Sequence, residues 1–573
     1  MAHNSSRPHS SKALDSCVRA LAPLLFMALL LAGCASQLPV HVERPVSTAL
    51  AQPQDTALGQ LIERQRPARV KPQASAFHLL AGAQSAYGAR LALAESAQHT
   101  LDLQYYAIHA DQSSQRLLRS LVSAARRGVR VRVLLDDFHS TGADAQVMRL
   151  AFVPGIEMRM FNPLAGARSS PLGRAYTVLT DFQRAQQRMH NKLFAADNVM
   201  AVVGGRNLGD AYFDADINGN FVDLDVLAAG PVVKELSRSF DSYWNNARAY
   251  PVQSLIGLDE LRQLRARYAQ DDEQTSQELS DAARAQPAPG IWDQRPLKLD
   301  ATPWVWASAV VLADRPAKIA SEHEDALEQP PPAHPAPQSQ GQNLRLREQS
   351  APALQAATVV DGLLALVRSA RRELLVVSPY FVPGPDMMQA FAEARSRGVS
   401  VRVLTNSLAS NDAPLAHAGY ARHRKQLLEM GVELHELLSQ PANLRSALRA
   451  GRSAWGSSGT SGASRAMLHT KLLVIDNHLV VIGSMNLDLR SQLQNTELAL
   501  LIASRSLAGL ATHSIDASLA YGSWHLQLGP EQQLTWRAPR DSERDDEHSE
   551  PDASWGLRLL LRLIGPLAPD ELL

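Results

Sequence analysis

The spacing of apolar positions changes period along this chain in an order that recurs. Residues 91–97 carry a helical period, 100–108 alternate as a strand does and hold Tyr105-Tyr106, and 114–127 return to a helical period that Gly128 ends. Residues 129–135 are β-branched and predict a strand, which completes a β-α-β order. The second half repeats it: a helix over 362–372, a strand over 374–381 ending in Tyr380-Phe381, a helix over 387–397 stopped by Gly398, and a strand over 399–404. The Arg-Gly-Val run at Gly128 matches that at Gly398 at an offset of 270, and Gly155-Ile156-Glu157 matches Gly431-Val432-Glu433 at 276. Short loop insertions produce such a drift, so the chain is an internal duplication.

Other stretches lack a period. Residues 37–72 are rich in Pro, Gln and Ala and read as a tether. Residues 317–354, with Gln329-Pro330-Pro331-Pro332, read as a disordered insertion, and 451–464 as a Gly/Ser-rich loop. Near the C-terminus, 555–564 is apolar except for Arg558 and Arg562, four apart on one helical face. That helix either closes the second half's core or lies on a membrane surface. At the N-terminus a basic stretch (Arg7, Lys12, Arg19) precedes an apolar run over 21–32 and Leu31-Ala32-Gly33-Cys34. The run is short for a membrane span and fits a signal peptide, and its ending resembles a bacterial lipobox with Cys34 as the lipidated residue. The expected organisation is a signal peptide over 1–33, a tether over 34–75, domains over 76–316 and 355–573, and the insertion between them.

Composition narrows the chemistry. Formal net charge is zero over 573 residues, so no global field favours nucleic acid. The two cysteines, Cys17 and Cys34, both lie near the N-terminus, and no His/Asp/Glu spacing suggests zinc or calcium; neither metal nor cofactor is expected. Arginine outnumbers lysine 49 to 8, which sets apart two lysines in a repeated motif, His190-Asn191-Lys192 to Asp197 and His469-Thr470-Lys471 to Asp476. With 18 His and 8 Lys, His-x-Lys should occur roughly 0.25 times by chance, and the spaced Asp lowers that to roughly 0.01.

Both motifs have β-branched and apolar neighbours, so each is expected on a strand with His and Lys on one face. Return strands over 200–203 and 479–482 lead to Gly204-Gly205 and Gly483-Ser484, then to Asn207 and Asn486. Each half thus carries an imidazole, an ammonium and an amide. Lysine and asparagine can stabilise negative charge on phosphate oxygens, while one imidazole attacks phosphorus and a second protonates the leaving oxygen. Two copies across a pseudo-twofold axis supply both roles.

These motifs, with Gly483-Ser484-x-Asn486-Leu487-Asp488-x-Arg490-Ser491, are similar to those of the phospholipase D superfamily. The resemblance implies two α/β domains, each a mixed sheet flanked by helices, in pseudo-twofold arrangement with one active site at their interface. It implies that Glu497 and Asp223 orient the histidines and that Asp197 and Asp476 are scaffold. By the commoner family pattern His190 is the nucleophile and His469 the acid, with Lys192, Lys471, Asn207 and Asn486 on phosphate oxygens. Ser410-Asn411-Asp412, His417-Ala418-Gly419-Tyr420 with Arg424, and Ser378-Pro379-Tyr380-Phe381 resemble the bacterial cardiolipin synthase group. The expected activity is phosphatidyl transfer making cardiolipin from phosphatidylglycerol, with phosphatidylethanolamine as a further donor. Alternatives are a hydrolytic phospholipase D, a nuclease of the superfamily, or a non-catalytic envelope lipid-binding protein. A lipid-anchored monomer with an internal pseudo-dimer, facing the periplasm, is expected; by resemblance to enterobacterial lipoproteins, Ala35 rather than Asp after the cysteine implies the outer membrane.

Overall fold

The computed structural model describes residues 38–39, 41–139, 144–164, 178, 181–216, 219–256, 262, 295–319, 353, 356, 358–439, 465–565 and 569. The expected signal peptide, Cys34, most of the insertion and the 451–464 loop lie outside them.

The first half builds strands β1 (Ser75–Leu80), β2 (Thr100–Tyr105), β3 (Arg130–Asp136), β4 (Ile156–Phe161), β5 (Arg188–Met189), β6 (Leu193–Ala196), β7 (Met200–Gly204), β8 (Gly219–Val222), β9 (Asp225–Ala229) and β10 (Ala249–Pro251). The second builds β11 (Val305–Ala313), β12 (Glu373–Val377), β13 (Phe381–Val382), β14 (Ser400–Asn406), β15 (Glu433–Leu437), β16 (Arg465–Leu468), β17 (Leu472–Ile475), β18 (Leu479–Gly483), β19 (Leu487–Asp488), β20 (Asn495–Thr496), β21 (Leu498–Ala503), β22 (Ser523–Leu528) and β23 (Leu534–Arg537).

In the first half the order β1-β9-β7-β6-β2-β3-β4-β10 is antiparallel except where β2, β3 and β4 run parallel. The second half repeats it as β11-β21-β18-β17-β12-β14-β15-β22, again parallel only through β12, β14 and β15. The parallel pairs are joined by crossover helices: Gln112–Arg126 and Pro385–Ser396 end at Gly128 (φ +91°) and Gly398 (φ +82°). A Cβ at either glycine would meet nothing, so the left-handed backbone alone calls for glycine there.

The two sheets join at their equivalent first strands, β1 and β11, whose antiparallel register sets Ser75 opposite Ala307. β11 therefore opens the second repeat. The division expected after residue 316 moves ahead of Val305, and the 317–354 segment lies inside the second repeat.

Three apolar cores result among the described residues. One lies under helices Ala83–Ser96 and Gln112–Arg126 and one under Val359–Ser369 and Pro385–Ser396. The central core unites both halves, with Phe77, Leu193 and Val226 from the first, Leu375, Leu472 and Leu500 from the second, and Phe240 and Ile515 from helices Pro231–Trp244 and Arg505–Tyr521. A core drawn from both repeats holds the half-sites in fixed relation.

Several expectations change. The helix expected over 91–97 is the end of Ala83–Ser96. The expected tether contains helix Ala57–Gln65, capped by Thr56, and its Leu58 and Ile62 are buried in the first core. Its Pro, Gln and Ala content masks that one-turn apolar pair. Strand 100–108 stops at Tyr105, and 374–381 divides into β12 and β13. The chain leaves the sheet there because Ile108 and Phe381 pair instead with Leu208 and Leu487, just after the motif asparagines. His417, in the run that resembles the cardiolipin synthase group, is buried beside Arg424 and Glu550. Cross-strand register also brings Glu433, His435 and His525 together, with ligand atoms within 4.8 Å of one another, a grouping that linear spacing does not reveal.

Candidate active site

Each His-x-Lys triplet lies in a gap between strands, not on one. Residues 190–192 separate β5 from β6 and 469–471 separate β16 from β17. The expected single strand is broken because its two ends pair with different halves. β6 and β17 belong to their own sheets, whereas β5 pairs with β20 of the second half and β16 with β8 of the first. These ladders extend to the histidines, whose amides donate across the interface: His190 N to Thr496 O at 2.9 Å and His469 N to Val222 O at 2.8 Å.

The crossing exchanges the histidines' partners. His190 Nδ1 lies 3.0 Å from both oxygens of Glu497, and His469 Nδ1 lies 2.7 Å from Asp223 Oδ2. Each half thus supplies the carboxylate for the other's histidine. With Nδ1–H donated to a carboxylate, Nε2 carries the free lone pair. Ser484 Oγ donates to Glu497. In the other half-site the equivalent residue is Gly205, where a Cβ would come within 2.5 Å of Asp223 Oδ2. Gly204 and Gly483 are as constrained, by Asp225 and by the Leu498 carbonyl.

Both lysines are buried and fold back, Lys192 Nζ donating to His190 O at 2.8 Å and Lys471 Nζ to His469 O at 2.6 Å. Asn207 accepts from Ala107 N at 3.3 Å and donates to Tyr212 Oη at 3.0 Å, while buried Asn486 Oδ1 has no hydrogen-bond partner among the described residues. Asp197 accepts from the amides of Gln98, His99 and Thr100, and Asp476 from those of Arg371, Arg372 and Glu373. Both Asp residues adopt left-handed backbone (φ +52° and +53°) and tie the motif strand to the start of β2 or β12.

Burial governs the electrostatics. It holds both imidazoles well below their ordinary range, and the two ammonium groups act in the same direction on each. Burial likewise lowers Lys192 to about 7 and Lys471 to about 8, and raises Glu497 to about 7. Asp223 is raised by burial against the opposing Lys471 and Arg206. Burial thus favours the neutral imidazole, the form a nucleophile needs.

Three contributors, Asp136, Asn406 and Tyr212, escaped the sequence reading. Asp136, ending β3, accepts from Met189 N at 2.8 Å, and Asn406, ending β14, accepts from Leu468 N at 2.8 Å. Each fixes the residue before a histidine. They stand at the same 270 offset as Gly128 and Gly398, so extending the repeat alignment finds them. Tyr106 packs edge-on to His190 (5.2 Å between centroids) and Tyr212 to His469 (5.4 Å), walling the site with rings. Tyr380 Oη donates to Asp412 at 2.8 Å, and the Asp412 charge acts on Lys471.

The sequence matches the family described as "Cardiolipin synthase, PLD-like domain" twice, over residues 91–244 and 363–518, once per repeat. The chain belongs to the phospholipase D superfamily. Among similar members, cardiolipin synthase C of Escherichia coli is 36% identical over 493 residues, spanning 85% of this chain and 94% of that protein. An uncharacterized protein of Helicobacter pylori is 32% identical over 508 residues, spanning 89% of this phospholipase D-family chain and 91% of its own length. Among solved structures, a phosphatidylserine synthase of Haemophilus influenzae is similar with a TM-score of 0.50 at 13% identity, covering 90% of this chain and 98% of that one, which supports the shared fold. The chain is thus a cardiolipin synthase-like member of a family of phospholipid-modifying enzymes.

Proposed function

We propose that this protein is a phosphatidyltransferase that makes cardiolipin from phosphatidylglycerol through a phosphohistidine. The observation that carries this reading is the exchanged pairing of His190 with Glu497 and His469 with Asp223, which makes one site from two half-sites. His190 Nε2 attacks phosphorus, forming a P–N bond as the bond to the headgroup oxygen breaks. His469, which takes a proton from solvent when the anionic phosphate enters the site, passes it to that oxygen. In the second step His469 takes the proton from a hydroxyl of an incoming phosphatidylglycerol, whose oxygen attacks phosphorus while the P–N bond breaks. Two phosphatidylglycerols thereby give one cardiolipin and one glycerol, and phosphatidylethanolamine as donor releases ethanolamine instead.

Lys192 and Lys471 rotate from their carbonyl partners onto the phosphate oxygens, and the amides of Asn207 and Asn486 assist them. Charge developing at phosphorus in a buried site strengthens those contacts in the transition state. Glu497 and Asp223 orient the imidazoles and stabilise the imidazolium form. The neutral formal charge of the chain supports a lipid substrate over nucleic acid. Lipidation at Cys34 and an envelope location facing the periplasm belong to the same proposal.

The test is to incubate purified protein with labelled phosphatidylglycerol, with and without phosphatidylethanolamine, and resolve the lipids. Cardiolipin is the expected product. Phosphatidic acid instead means that water is the acceptor and the protein is a hydrolase. No turnover by wild type overturns both readings and leaves a non-catalytic lipid-binding role.

A further inference from the structure

Helix Trp555–Ile564 is oriented against the usual rule. Trp555, Leu559, Leu560 and Leu563 fall on one side of it and are exposed, at 76%, 40%, 49% and 66%, while Leu557, Arg558 and Leu561 on the other side are half-buried. An amphipathic helix that merely closes a core turns its apolar arc inward. Here the arc faces out, with the exposed cation Arg562 at its edge.

This orientation is built. Ser554 caps the first turn, accepting from Leu557 N at 3.3 Å, and Arg558 donates to Ser549 at 3.0 Å. Upstream, Glu550 is held by buried Arg424 and His417, and Arg424 also pairs with Glu436 at 2.8 Å. At the far end Arg422 donates to Gly565 O at 3.4 Å, and a Cβ on Gly565 would come within 3.1 Å of Ala418. The helix is therefore seated on helix Pro414–Glu429.

That seat leads to the active site. Ala418 lies one turn, roughly 6 Å, from the start of its helix at Pro414. Two residues before Pro414 is Asp412, bonded to Tyr380 and acting on Lys471. Between them Leu415 is 44% exposed. The C-terminal helix is thus seated on the helix whose first turn carries exposed Leu415 and follows the segment that acts on Lys471.

We propose that the outward face of Trp555–Ile564 is an interfacial docking surface for a phospholipid bilayer. Trp555 and the leucines enter the headgroup–acyl boundary, and Arg562 meets anionic phosphates. The bilayer is the occupant because the face combines an interfacial aromatic, an apolar arc and a cation complementary to anionic headgroups, and because the proposed substrates of this protein reside in bilayers. The inference rests on that substrate reading. Among the described residues no helix is long and apolar enough to cross a membrane, so docking of this kind would hold the mouth at the lipid surface.

The test compares full-length wild type with the double variant Leu559→Glu/Leu563→Glu and with Arg562→Glu, all keeping the same N-terminus. Substrate is offered as vesicles of phosphatidylglycerol and phosphatidylethanolamine in equal parts, or as short-chain phosphatidylglycerol below its micelle concentration. Vesicle turnover should fall about tenfold in the double variant and in the same direction in Arg562→Glu, while short-chain turnover stays within about twofold. Doxyl-labelled lipid should quench wild-type tryptophan emission more than that of Trp555→Phe. Equal vesicle turnover by all variants without Trp555 quenching overturns the proposal. So does a lipid-independent dimer that the double variant disperses, because a second copy then covers the face. If wild type turns over neither lipid yet Trp555 is quenched, docking stands and the phosphatidyltransferase reading falls.

Discussion

His190 Nδ1 meets the carboxylate of Glu497 at 3.0 Å although 307 positions separate them, so the first half's histidine is oriented by the second half's acid. The reciprocal pair, His469 and Asp223, lies 246 positions apart. Neither half-site is complete within its own repeat. Glu497→Gln should therefore lower kcat by about 10²–10⁴-fold with little change in KM. Adding Glu497→Gln to His190→Ala should cause no further loss, since the two act as a unit. Steady-state rates on labelled phosphatidylglycerol check this, and additive losses would show that Glu497 acts independently of His190.

The two histidines should differ in what they trap. With a good leaving group such as p-nitrophenol on the phosphatidyl donor, His469→Ala should accumulate a base-stable phosphatidyl adduct on His190, while His190→Ala accumulates none. Peptide mass spectrometry after alkaline quench reads the site. An adduct on His469 in the His190→Ala protein would reverse the assignment.

Gly205→Ala should fold and yet fail. The added Cβ would lie 2.5 Å from Asp223 Oδ2, forcing the carboxylate off His469. Activity should drop about 10²-fold or more with a melting temperature near wild type. The conservative exchange Ser484→Ala in the other half-site, which removes a donor to Glu497, should cost less, about tenfold.

Asp476→Ala should act on stability. It deprives three backbone amides of their acceptor and places alanine in left-handed backbone, a loss of about 2–4 kcal/mol read as a lower denaturation midpoint. Asp476→Asn, which tolerates that backbone, should lose less. A variant of unchanged midpoint would remove Asp476 from the scaffold.

Glu497 and Lys192 set opposite slopes of stability against pH. Burial raises Glu497 from 4.5 to about 7, so between those values the folded state holds the extra proton and stability falls as pH rises. Burial lowers Lys192 from 10.5 to about 7, so above 7 the unfolded state holds the extra proton and stability rises with pH. Denaturation midpoints from pH 4.5 to 7 should decline in wild type and flatten in Glu497→Gln. An identical decline in both would assign the slope to another group.

Much of the fold was legible because it rests on local rules repeated twice. Gly128 and Gly398 end helices for the same backbone reason, and the β-α-β order follows from apolar period alone. The motif residues were legible through recurrence, which base composition makes improbable. The strand assigned to His190-Asn191-Lys192 was wrong because β-branched neighbours report a local preference, while β5 and β6 pair with different halves. Leu58 and Ile62 were hidden in a composition typical of linkers.

By itself the sequence determined the duplication, the parallel α/β order within each repeat, and the imidazole, ammonium and amide each half contributes, because these depend on residue identity and short-range spacing. Only the tertiary structure decided that the acids are exchanged between halves, that β1 meets β11 at the pseudo-twofold axis, and that the C-terminal helix turns its apolar arc outward. Those features arise from pairing between segments far apart in the chain. A histidine's local sequence carries no record of which distant carboxylate reaches its Nδ1, and a helix's apolar period does not say which way its neighbours leave it facing.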